Sequence, residues 1–300
     1  MFTLKQLESN FSIIKICGNP NTSINKLVEL KTYNGNTNEL TWCNDKNIEI
    51  ARQLNKGTII CSSLILESKL NINVNYIITE HPRKLFQALL MTYFYSKPTL
   101  GIISKMVDIH SSVKLGKNCS IGNFTTIEAD CEIGENVFIG NNNVILKGTI
   151  INDNVYIGNN NTIGGIGFGY EKDSELKFQL VPHIGNVIIK SYVDIGNNTC
   201  IDRSVLGSTI IGENCKIDNL VHIAHNVELG NNNVIIANSI IGGSVKTGDN
   251  VWISPSASIM NGIDIGENCI IGLGAVVLKT VEKNSVVVGN PSRKIKDIKF

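Results

Sequence analysis

Residues 116–163 form eight consecutive hexapeptides, GKNCSI-GNFTTI-EADCEI-GENVFI-GNNNVI-LKGTII-NDNVYI-GNNNTI, and each one ends in isoleucine. From Ile109 onward, ten consecutive positions at intervals of six are Ile or Leu. Neither the 3.6-residue period of an α-helix nor the alternation of a plain strand produces a strict period of six. The pattern is typical of a hexapeptide β-helix, in which each repeat supplies one short strand and one corner. It predicts a left-handed parallel β-helix whose apolar residues fill a triangular prism.

The period continues beyond this stretch with two interruptions. It resumes at Ile189, slips by four residues near Gly207, and runs again from Ile211 to Val277. A Gly often follows the apolar residue, and we expect it to let the chain turn at the corner. Two residues before the apolar position, the side chains are small, β-branched or amides, and they include Cys119, Cys131, Asn143, Asn161, Cys215, Asn233 and Cys269. We interpret these cysteines as core filling rather than metal ligands, and these amides as structural.

The repeat also divides the chain into domains. Residues 1–100 lack it and are predicted to form a small α/β domain. The β-helix is expected over 101–280, with a loop excursion at 164–188, and 281–300 are expected to form a short tail. In the first domain the predicted helices and strands are helices at 3–11, 47–54 and 82–95 and strands at 40–43, 58–63 and 76–79.

Composition excludes several classes of function. Lys and Arg number 27 and Asp and Glu 26, a formal net charge of +1, so little attracts a nucleic acid or a membrane surface. No stretch approaches the ~18 apolar residues of a membrane span. The first residues lack the apolar core of a signal peptide, and the eight cysteines include no C-x-x-C pair. We predict a cytoplasmic protein with free thiols.

Short islands within the repeat carry a more specific signal, namely Gly167-Phe168-Gly169-Tyr170, Val181-Pro182-His183-Ile184-Gly185, Ile201-Asp202-Arg203, Ile217-Asp218-Asn219 and Ile223-Ala224-His225-Asn226-Val227. In this order they resemble the UDP-3-O-acylglucosamine N-acyltransferases of lipid A synthesis, and the resemblance extends to about Leu278. It implies a homotrimer with active sites in clefts between neighbouring prisms. It also implies that His225 is the general base.

The resemblance also implies that the α/β domain of residues 1–100 contacts a nucleotide sugar, and it implies roles for other residues. Trp42 falls at the family's aromatic position against the nucleotide base, and Asn44 lies one residue out of register with a phosphate-contacting Asn. A backbone amide near Gly243 is expected to stabilise the thioester oxyanion. The acyl pocket is expected within 272–278, where the candidate contacts are Gly272, Ala275 and Val276. The catalytic group would be completed by Asp218, which could orient an imidazole, and Asn219.

Three departures from the family modify this expectation. The late Asn-Gly-His is replaced by Asn261-Gly262-Ile263, the helical extension that docks acyl carrier protein is missing, and His222 is additional. Residues 289–294 resemble instead the tail of coenzyme-A-dependent hexapeptide acetyltransferases, so Arg293 and Lys294 are expected to meet coenzyme A phosphates. We therefore predict an enzyme that moves a short acyl group from acyl-CoA, a co-substrate, to the amine of a nucleotide-linked amino-deoxy sugar for surface polysaccharide synthesis. No permanently bound cofactor or metal is expected.

The chemistry needs a neutral amine, a stabilised oxyanion and a departing thiolate, and a His with a pKa near 6.5 can accept the proton. His225 and His222 should both point outward, with His222 either contacting substrate or lying in solvent. His183 lies in the excursion and could reach substrate. Phe168 and Tyr170 would either line the substrate cleft or pin the loop to the prism. The alternatives are the lipid A enzyme fed by acyl carrier protein, a β-helix zinc carbonic anhydrase, and a non-catalytic structural β-helix.

Overall fold

The computed structural model describes residues 1–96 and 98–297. The chain divides into two compact units, Met1–Lys97 and Pro98–Phe300. Across the described residues, no helix has both the length and the apolar character needed to cross a bilayer.

The first unit is a small α/β unit built on a five-stranded sheet. Four of its strands are parallel, and Lys15–Cys17 is antiparallel to its neighbour. The sheet order is Lys15–Cys17, Val74–Ile78, Gly57–Cys61, Glu39–Trp42 and Lys26–Leu27. Phe2–Thr3 and Ser23–Ile24 form a separate antiparallel pair. The helices are Leu4–Asn10, Ile48–Arg52 and Pro82–Leu89, with a π-helical turn at Leu90–Phe94 and 3-10 turns at Leu30–Thr32, Asp45–Asn47 and Ser63–Glu67.

Local signals explain these elements. Helix Leu4–Asn10 begins with a capping box, in which the side chains of Thr3 and Gln6 satisfy amides at the helix start. Helix Pro82–Leu89 has proline in its first turn, where the missing N–H costs nothing. The two central strands are buried along their whole length, as expected for a parallel sheet covered on both faces. The predicted helices and strands of this unit are confirmed to within a few residues.

The second unit is the left-handed parallel β-helix that the repeat predicted, with three faces that stack short strands. The first face contains Ser120–Ile121, Phe138–Ile139, Tyr156–Ile157, Asp194–Ile195, Lys216–Ile217, Val234–Ile235, Trp252–Ile253, Ile270–Ile271, Ser285–Val288 and Arg293–Asp297. The second face contains Asp108–Ile109, Thr126–Ile127, Val144–Ile145, Thr162–Gly165, Cys200–Asp202, His222–Ile223, Ile240–Ile241, Ser258–Ile259 and Val276–Val277. The third face contains Lys114–Leu115, Glu132–Ile133, Ile150–Ile151, Asn186–Ile189, Ser208–Ile211, Lys246–Thr247 and Asp264–Ile265.

The prism interior is filled as the pattern predicted. The sixth-position isoleucines stack directly on one another because successive coils pair in parallel register, for example Ile201 with Ile223 and Ile223 with Ile241. Cys131 and Cys215 are fully buried beside them. Interior amides form a ladder, in which Asn143 Oδ1 accepts hydrogen bonds from the backbone N–H and the Nδ2 of Asn161 at 2.9 and 3.0 Å. The structural interpretation of these residues is confirmed.

The corners differ from the prediction in which residue makes the turn. The residue with positive φ is not the Gly but the one two positions later, such as Asn142 at 56° and Asn160 at 59°. Asn tolerates this left-handed conformation better than most residues. Glycine is required for another reason, since a Cβ on Gly140 would lie 2.5 Å from the carbonyl oxygen of Gly158 in the next coil. Thus Gly allows close stacking of coils, and Asn turns the chain.

The two irregular segments of the β-helix also have defined structures. The excursion leaves after Thr162–Gly165 and returns at Asn186–Ile189, and it carries an antiparallel hairpin of Tyr170–Lys172 and Phe178–Leu180. The segment expected as a short tail carries two strands within residues 281–297. Ser285–Val288 adds a parallel strand to Ile270–Ile271, and Arg293–Asp297 folds back antiparallel to it, so the first face extends past residue 280.

Candidate active site

One corner of the prism, at the end of the second face, brings together residues from three coils and from the excursion. Parallel register places the segments after Ile201, Ile223 and Ile241 above one another. These segments contribute Asp202, His225 and Gly243. We call this set, together with His222 from strand His222–Ile223 and His183 from the excursion, the histidine corner.

The imidazole of His225 is held in one tautomer by its neighbour in the chain. Asn226 Oδ1 accepts a hydrogen bond from the backbone N–H of Val205 at 3.1 Å, which identifies that atom as an acceptor. The same oxygen lies 3.0 Å from His225 Nδ1, so Nδ1 carries the proton and donates it. In the neutral imidazole, Nε2 is therefore the nitrogen with the lone pair, which is what a general base requires.

Gly243 lies directly against the basic edge of this imidazole. A Cβ at position 243 would lie 2.8 Å from His225 Nε2 and from Cε1, so only glycine leaves the ring in place. Among the residues described, none accepts a hydrogen bond from the Gly243 N–H. A backbone amide that has no partner and lies beside a base is available to bind an oxyanion. The structure thus brings His225 and Gly243 together, as the resemblance implied.

His183 packs on the other side of His225. The two rings lie edge to face with centroids 5.1 Å apart. His183 Nδ1 lies 2.7 Å from the carbonyl oxygen of Val181 and donates to it, which leaves Nε2 as an acceptor. That Nε2 is buried without a partner in the part of the chain described here. A Cβ on Gly167 would lie within 3.0 Å of both imidazoles, so the excursion can lie over them only because residue 167 is glycine.

Asp202 is the acidic member of the histidine corner, and the sequence analysis gave it no catalytic role. Its Oδ2 lies 3.6 Å from His222 Nε2, and its side chain is only 14% exposed. Burial raises the pKa of the Asp202 carboxyl, while the nearby His222, His225 and His183 oppose that rise. The available signal was the motif Ile201-Asp202-Arg203, which carried the resemblance without a role being assigned to the carboxylate.

Asp218 and Asn219 lie at a different corner, after the first face. Asp218 Oδ1 accepts from the backbone N–H and the Nδ2 of Asn219, and its Oδ2 accepts from the backbone N–H of Ala237. Asn219 Oδ1 in turn accepts two hydrogen bonds from Asn197. Within this chain, Asp218 therefore binds the amides of its own corner, and Asn219 is bonded within a ladder of amides, so the structure does not bring either residue to the histidine corner.

The predicted acyl-CoA contacts are not all available to a ligand. Ala275 is fully buried and faces the prism interior, which contradicts its placement in an acyl pocket. Gly272 lies beneath the last coil, where a Cβ would come within 2.6 Å of Val288 Cγ1. Val276 is half-buried on the second face. Arg293 and Lys294 are exposed on the last strand, and Lys294 Nζ forms an ion pair of 2.5 Å with Asp297.

Phe168 and Tyr170 occupy the outer part of the excursion. Phe168 is 88% exposed, which argues against the alternative that it pins the loop to the prism. Its ring contacts that of Tyr170 at a centroid distance of 5.0 Å. The pair forms an exposed aromatic surface on the same loop that places His183.

Trp42 and Asn44 border a cavity of about 520 Å³ within the first unit. The Trp42 ring lies near that of Phe86, with centroids 5.9 Å apart and planes inclined by 30°. Asn44 Oδ1 accepts from the backbone N–H of Asn47 at 3.2 Å and so caps a 3-10 turn. The cavity therefore has an aromatic wall suited to a flat ring, while the oxygen of Asn44 is already engaged.

The side chains of the histidine corner also bear on the alternative of a β-helix zinc carbonic anhydrase. In residues 1–96 and 98–297, no three His, Cys, Asp or Glu side chains converge in a way that could hold a metal ion. His183 does join His222 and His225, but it comes from the excursion rather than from the prism. Its ring lies edge to face with that of His225.

Comparisons with known proteins agree with the repeat. The family model for the bacterial transferase hexapeptide (six repeats) matches residues 130–165, 208–243 and 244–279. A UDP-3-O-acylglucosamine N-acyltransferase from Christiangramia forsetii is 53% identical over 85 residues, which are 28% of this chain and 25% of that protein. UDP-3-O-acylglucosamine N-acyltransferase 2 from Legionella pneumophila (strain Paris) is 51% identical over 135 residues, 45% of this chain and 39% of that protein. The matched segments thus span about a quarter to two fifths of these relatives.

The solved UDP-N-acetylglucosamine acyltransferase from Campylobacter jejuni has a TM-score of 0.60 with this chain at 25% identity, covering 65% of this chain and 75% of that one. This chain is accordingly a hexapeptide-repeat protein, part of which is similar to UDP-3-O-acylglucosamine N-acyltransferases.

Proposed function

We propose that this protein is an N-acyltransferase that moves an acyl group from a thioester to the amine of a nucleotide-linked amino sugar. The names of its relatives support a UDP-linked 3-O-acylglucosamine as the acceptor, which was the alternative rather than the main prediction from the sequence. The observation that carries the proposal is the proximity of His225 Nε2 to Gly243, whose N–H has no acceptor among the described residues.

This arrangement supplies the two groups that the reaction needs. His225 Nε2 accepts a proton from the amine as its nitrogen forms a bond to the thioester carbonyl carbon. The Gly243 N–H donates a hydrogen bond to the oxyanion that develops on the carbonyl oxygen. The C–S bond then breaks, and the leaving thiolate takes up the proton from His225. No metal is required in this sequence of steps.

Other parts of the chain are proposed to bind the substrates. The cavity at Trp42 has the size and aromatic wall expected for a nucleotide base. Phe168 and Tyr170 present an exposed aromatic surface beside the loop that covers His225, which suits the apolar or sugar part of a substrate. By resemblance the protein works as a homotrimer, in which a second copy would complete each cleft.

A second candidate differs in the donor and the acceptor. Ile263 stands where the family has its late His, and it is packed in the prism interior, so no side chain there can contact a phosphate. This observation favours a different acceptor, such as an amino-deoxy sugar nucleotide without a 3-O-acyl group. The exposed guanidinium of Arg293 would suit the phosphates of an acyl-CoA that carries a short acyl group.

A thiol-release assay tests the proposal. Purified protein is offered acetyl-CoA, 3-hydroxybutyryl-CoA or 3-hydroxyacyl-carrier protein, each with UDP-3-O-acylglucosamine or with a panel of amino-sugar nucleotides. We expect release that requires both a thioester and an amine and that is lost in His225→Ala. The variant His110→Ala is the control, because His110 lies on an early coil and its ring hydrogen-bonds to Ser112.

The donor and acceptor pair that turns over decides between the two candidates. Turnover with carrier protein and the 3-O-acylated nucleotide supports the first, and turnover with a short acyl-CoA and another amino sugar supports the second. Absence of release with every pair would contradict both.

A further inference from the structure

In the described part of the β-helix, His183 Nε2 is the one buried side-chain nitrogen or oxygen without a hydrogen-bond partner. His183 comes from the excursion and is only 6% exposed. Buried polar atoms in folded proteins are nearly always paired, because an unpaired one has lost its hydrogen bonds to water and gained nothing in return. The atom therefore requires a partner that the chain itself does not supply.

The missing partner must be a hydrogen-bond donor. His183 Nδ1 lies 2.7 Å from the carbonyl oxygen of Val181, which can only accept, so Nδ1 carries the proton of the neutral ring. His183 Nε2 then holds the lone pair and can only accept. A ligand that completes this site brings an N–H or an O–H.

The unpaired nitrogen lies beside the proposed base. The rings of His183 and His225 are edge to face, with centroids 5.1 Å apart. A Cβ on Gly167 would lie 2.8 Å from His183 Nε2 and 2.9 Å from His225 Cδ2, the ring carbon bonded to the basic Nε2. Two imidazoles, one from the prism and one from the excursion, therefore border the same space, and each offers a lone pair.

Residues 166–168, which include the Gly167 that lies over His183 Nε2, form no hydrogen bond with the prism in the described chain. No described residue accepts a hydrogen bond from the backbone N–H of Ile166, Gly167 or Phe168. The one hydrogen bond to their carbonyl oxygens comes from the N–H of Gly169, within the same turn. A shift of this turn would therefore admit a substrate group to His183 Nε2 without breaking a hydrogen bond to the prism.

We propose that His183 Nε2 accepts a hydrogen bond from the attacking amine and so makes the site select an amine over a hydroxyl. This inference rests on the proposed function, because it concerns the same transfer. A neutral primary amine has two N–H bonds and one lone pair. One proton passes to His225 Nε2 as the N–C bond forms, and later to the departing thiolate. The second N–H points to His183 Nε2, stays on the nitrogen throughout, and becomes the N–H of the amide product.

A hydroxyl in the same place has only one proton to offer. If His225 takes that proton, His183 Nε2 stays unpaired, and a site with an unpaired buried acceptor rejects such a substrate. Holding the amine by both N–H bonds also directs its lone pair at the thioester carbon. His183 is therefore a specificity-determining residue, while His225 remains the base.

Two variants separate this acceptor from the packing of the ring. His183→Phe keeps a flat ring against His225 and removes the lone pair, whereas His183→Gln supplies an amide oxygen as acceptor and an amide N–H for the Val181 carbonyl. Each is assayed with the active donor on two acceptors, the amino-sugar nucleotide and the analogue with a hydroxyl in place of that amine. His110→Phe is the matched control, because His110 lies on an early coil and its ring hydrogen-bonds to Ser112.

The two acceptors should respond differently to the loss of the lone pair. We expect His183→Phe to lower kcat/KM for the amine by about tenfold to a hundredfold and to leave the lower value for the hydroxyl nearly unchanged. His183→Gln should recover much of the amine activity. An equal loss with both acceptors would mean that His183 only holds the excursion in place, and it would overturn the inference while leaving the proposed function intact.

Nitrogen-15 NMR of the histidine side chains tests the contact itself, without turnover and without a variant that must fold. The His183 signals of the wild-type protein are assigned through the bonded ring and backbone atoms. The protein is then saturated, without a thioester, with the amino-sugar nucleotide that turns over or with its hydroxyl analogue. We expect the His183 Nε2 signal to move upfield, as for a lone pair that gains a hydrogen bond, with the amine and not with the hydroxyl. An unmoved signal at saturation with the amine would overturn the inference.

The failure of the inference and the failure of the proposed function are distinguishable. A protein that acylates no amino sugar with any thioester contradicts the proposed function. The same titration, made with UDP-3-O-acylglucosamine, then still decides the contact, because a moved His183 Nε2 signal supports it and an unmoved one overturns it.

Discussion

Asn219 and His225 occupy the same position of the hexapeptide repeat, two residues after a buried isoleucine, but they lie at different corners of the prism. At the corner after the first face, Asn141, Asn159, Asn197 and Asn219 form a ladder in which each side-chain oxygen accepts the backbone N–H of the preceding coil at 2.7 Å. At the histidine corner the equivalent column contains an imidazole with a free lone pair and a glycine whose N–H has no acceptor in the described chain.

The difference teaches where chemistry can occur on a regular scaffold. A corner whose donors and acceptors are all paired is rigid and has nothing left to offer a substrate. A corner with unpaired groups is less stable by itself, but those groups can bind a reacting molecule. The excursion and the four-residue slip near Gly207 both meet at this second corner, through His183 and through the Val205 N–H that fixes Asn226.

The largest effect should come from the base itself. We expect His225→Ala to lower kcat by about 10²–10⁴-fold and to leave the free energy of unfolding nearly unchanged. Single-turnover rates and denaturant unfolding would measure the two quantities. If His225→Ala keeps the wild-type kcat, the reaction does not take place at the histidine corner, and the contrast between the two corners is wrong.

A methyl group at the facing glycine should have the next largest effect. In Gly243→Ala the new Cβ would meet His225 Nε2 at 2.8 Å, so the ring must move away from the amide that faces it. We expect a loss of about 10²–10³-fold in kcat, comparable to losing one oxyanion donor, with a small change in KM. A rise in KM of the same size with an unchanged kcat would contradict this prediction, because it would show that Gly243 contributes to substrate binding only.

A substitution in the asparagine ladder should lower stability and leave the reaction rate nearly unchanged. Asn197→Ala removes the acceptor of the Asn159 N–H and leaves that amide of a half-buried corner without its partner. We expect the free energy of unfolding to fall by about 1–3 kcal/mol while kcat/KM stays near the wild-type value. Thermal or urea unfolding beside the rate assay would measure this, and a selective loss of rate would place the ladder within the catalytic machinery.

The smallest expected effect concerns the turn residue. Asn142 has a φ of 56°, and Asn142→Ala should destabilise the protein by about 1 kcal/mol because alanine tolerates this conformation less well. Asn142→Gly should be close to neutral or slightly stabilising. Urea unfolding of both variants would measure the difference, and equal effects of Ala and Gly would mean that backbone conformation is not the reason for asparagine here.

The periodic sequence was sufficient to predict the fold class, the phase of the interior residues and the course of the excursion. It was sufficient because the position of a residue within the six-residue repeat fixes whether its side chain lies in the prism interior or at a corner. The sequence missed the reason for the glycines, since the contact between Gly140 and Gly158 is between backbones of different coils. It also misplaced Ala275, because the interior and the surface alternate within a few residues at each corner.

The motif His225–Asn226 could be recognised from the sequence as a candidate base, but its tautomer could not. That depends on the N–H of Val205, which is 21 residues away and reaches Asn226 only through the slip in the repeat. The partners of Asp202 could not be predicted for a similar reason. Asp202 and Asp218 each follow a buried isoleucine, and the stacking of the coils decides which groups each carboxylate meets.

The sequence by itself therefore determined the left-handed prism, the interior columns and the positions where the regular repeat fails. The tertiary structure decided which of two equivalent corners is left with unpaired groups. It did so because hydrogen bonds between coils join residues about 18 apart or more, so the partner of a given carboxylate or imidazole depends on stacking rather than on neighbours in the chain. Asp218 is paired with amides for that reason, and Asp202 faces three histidines.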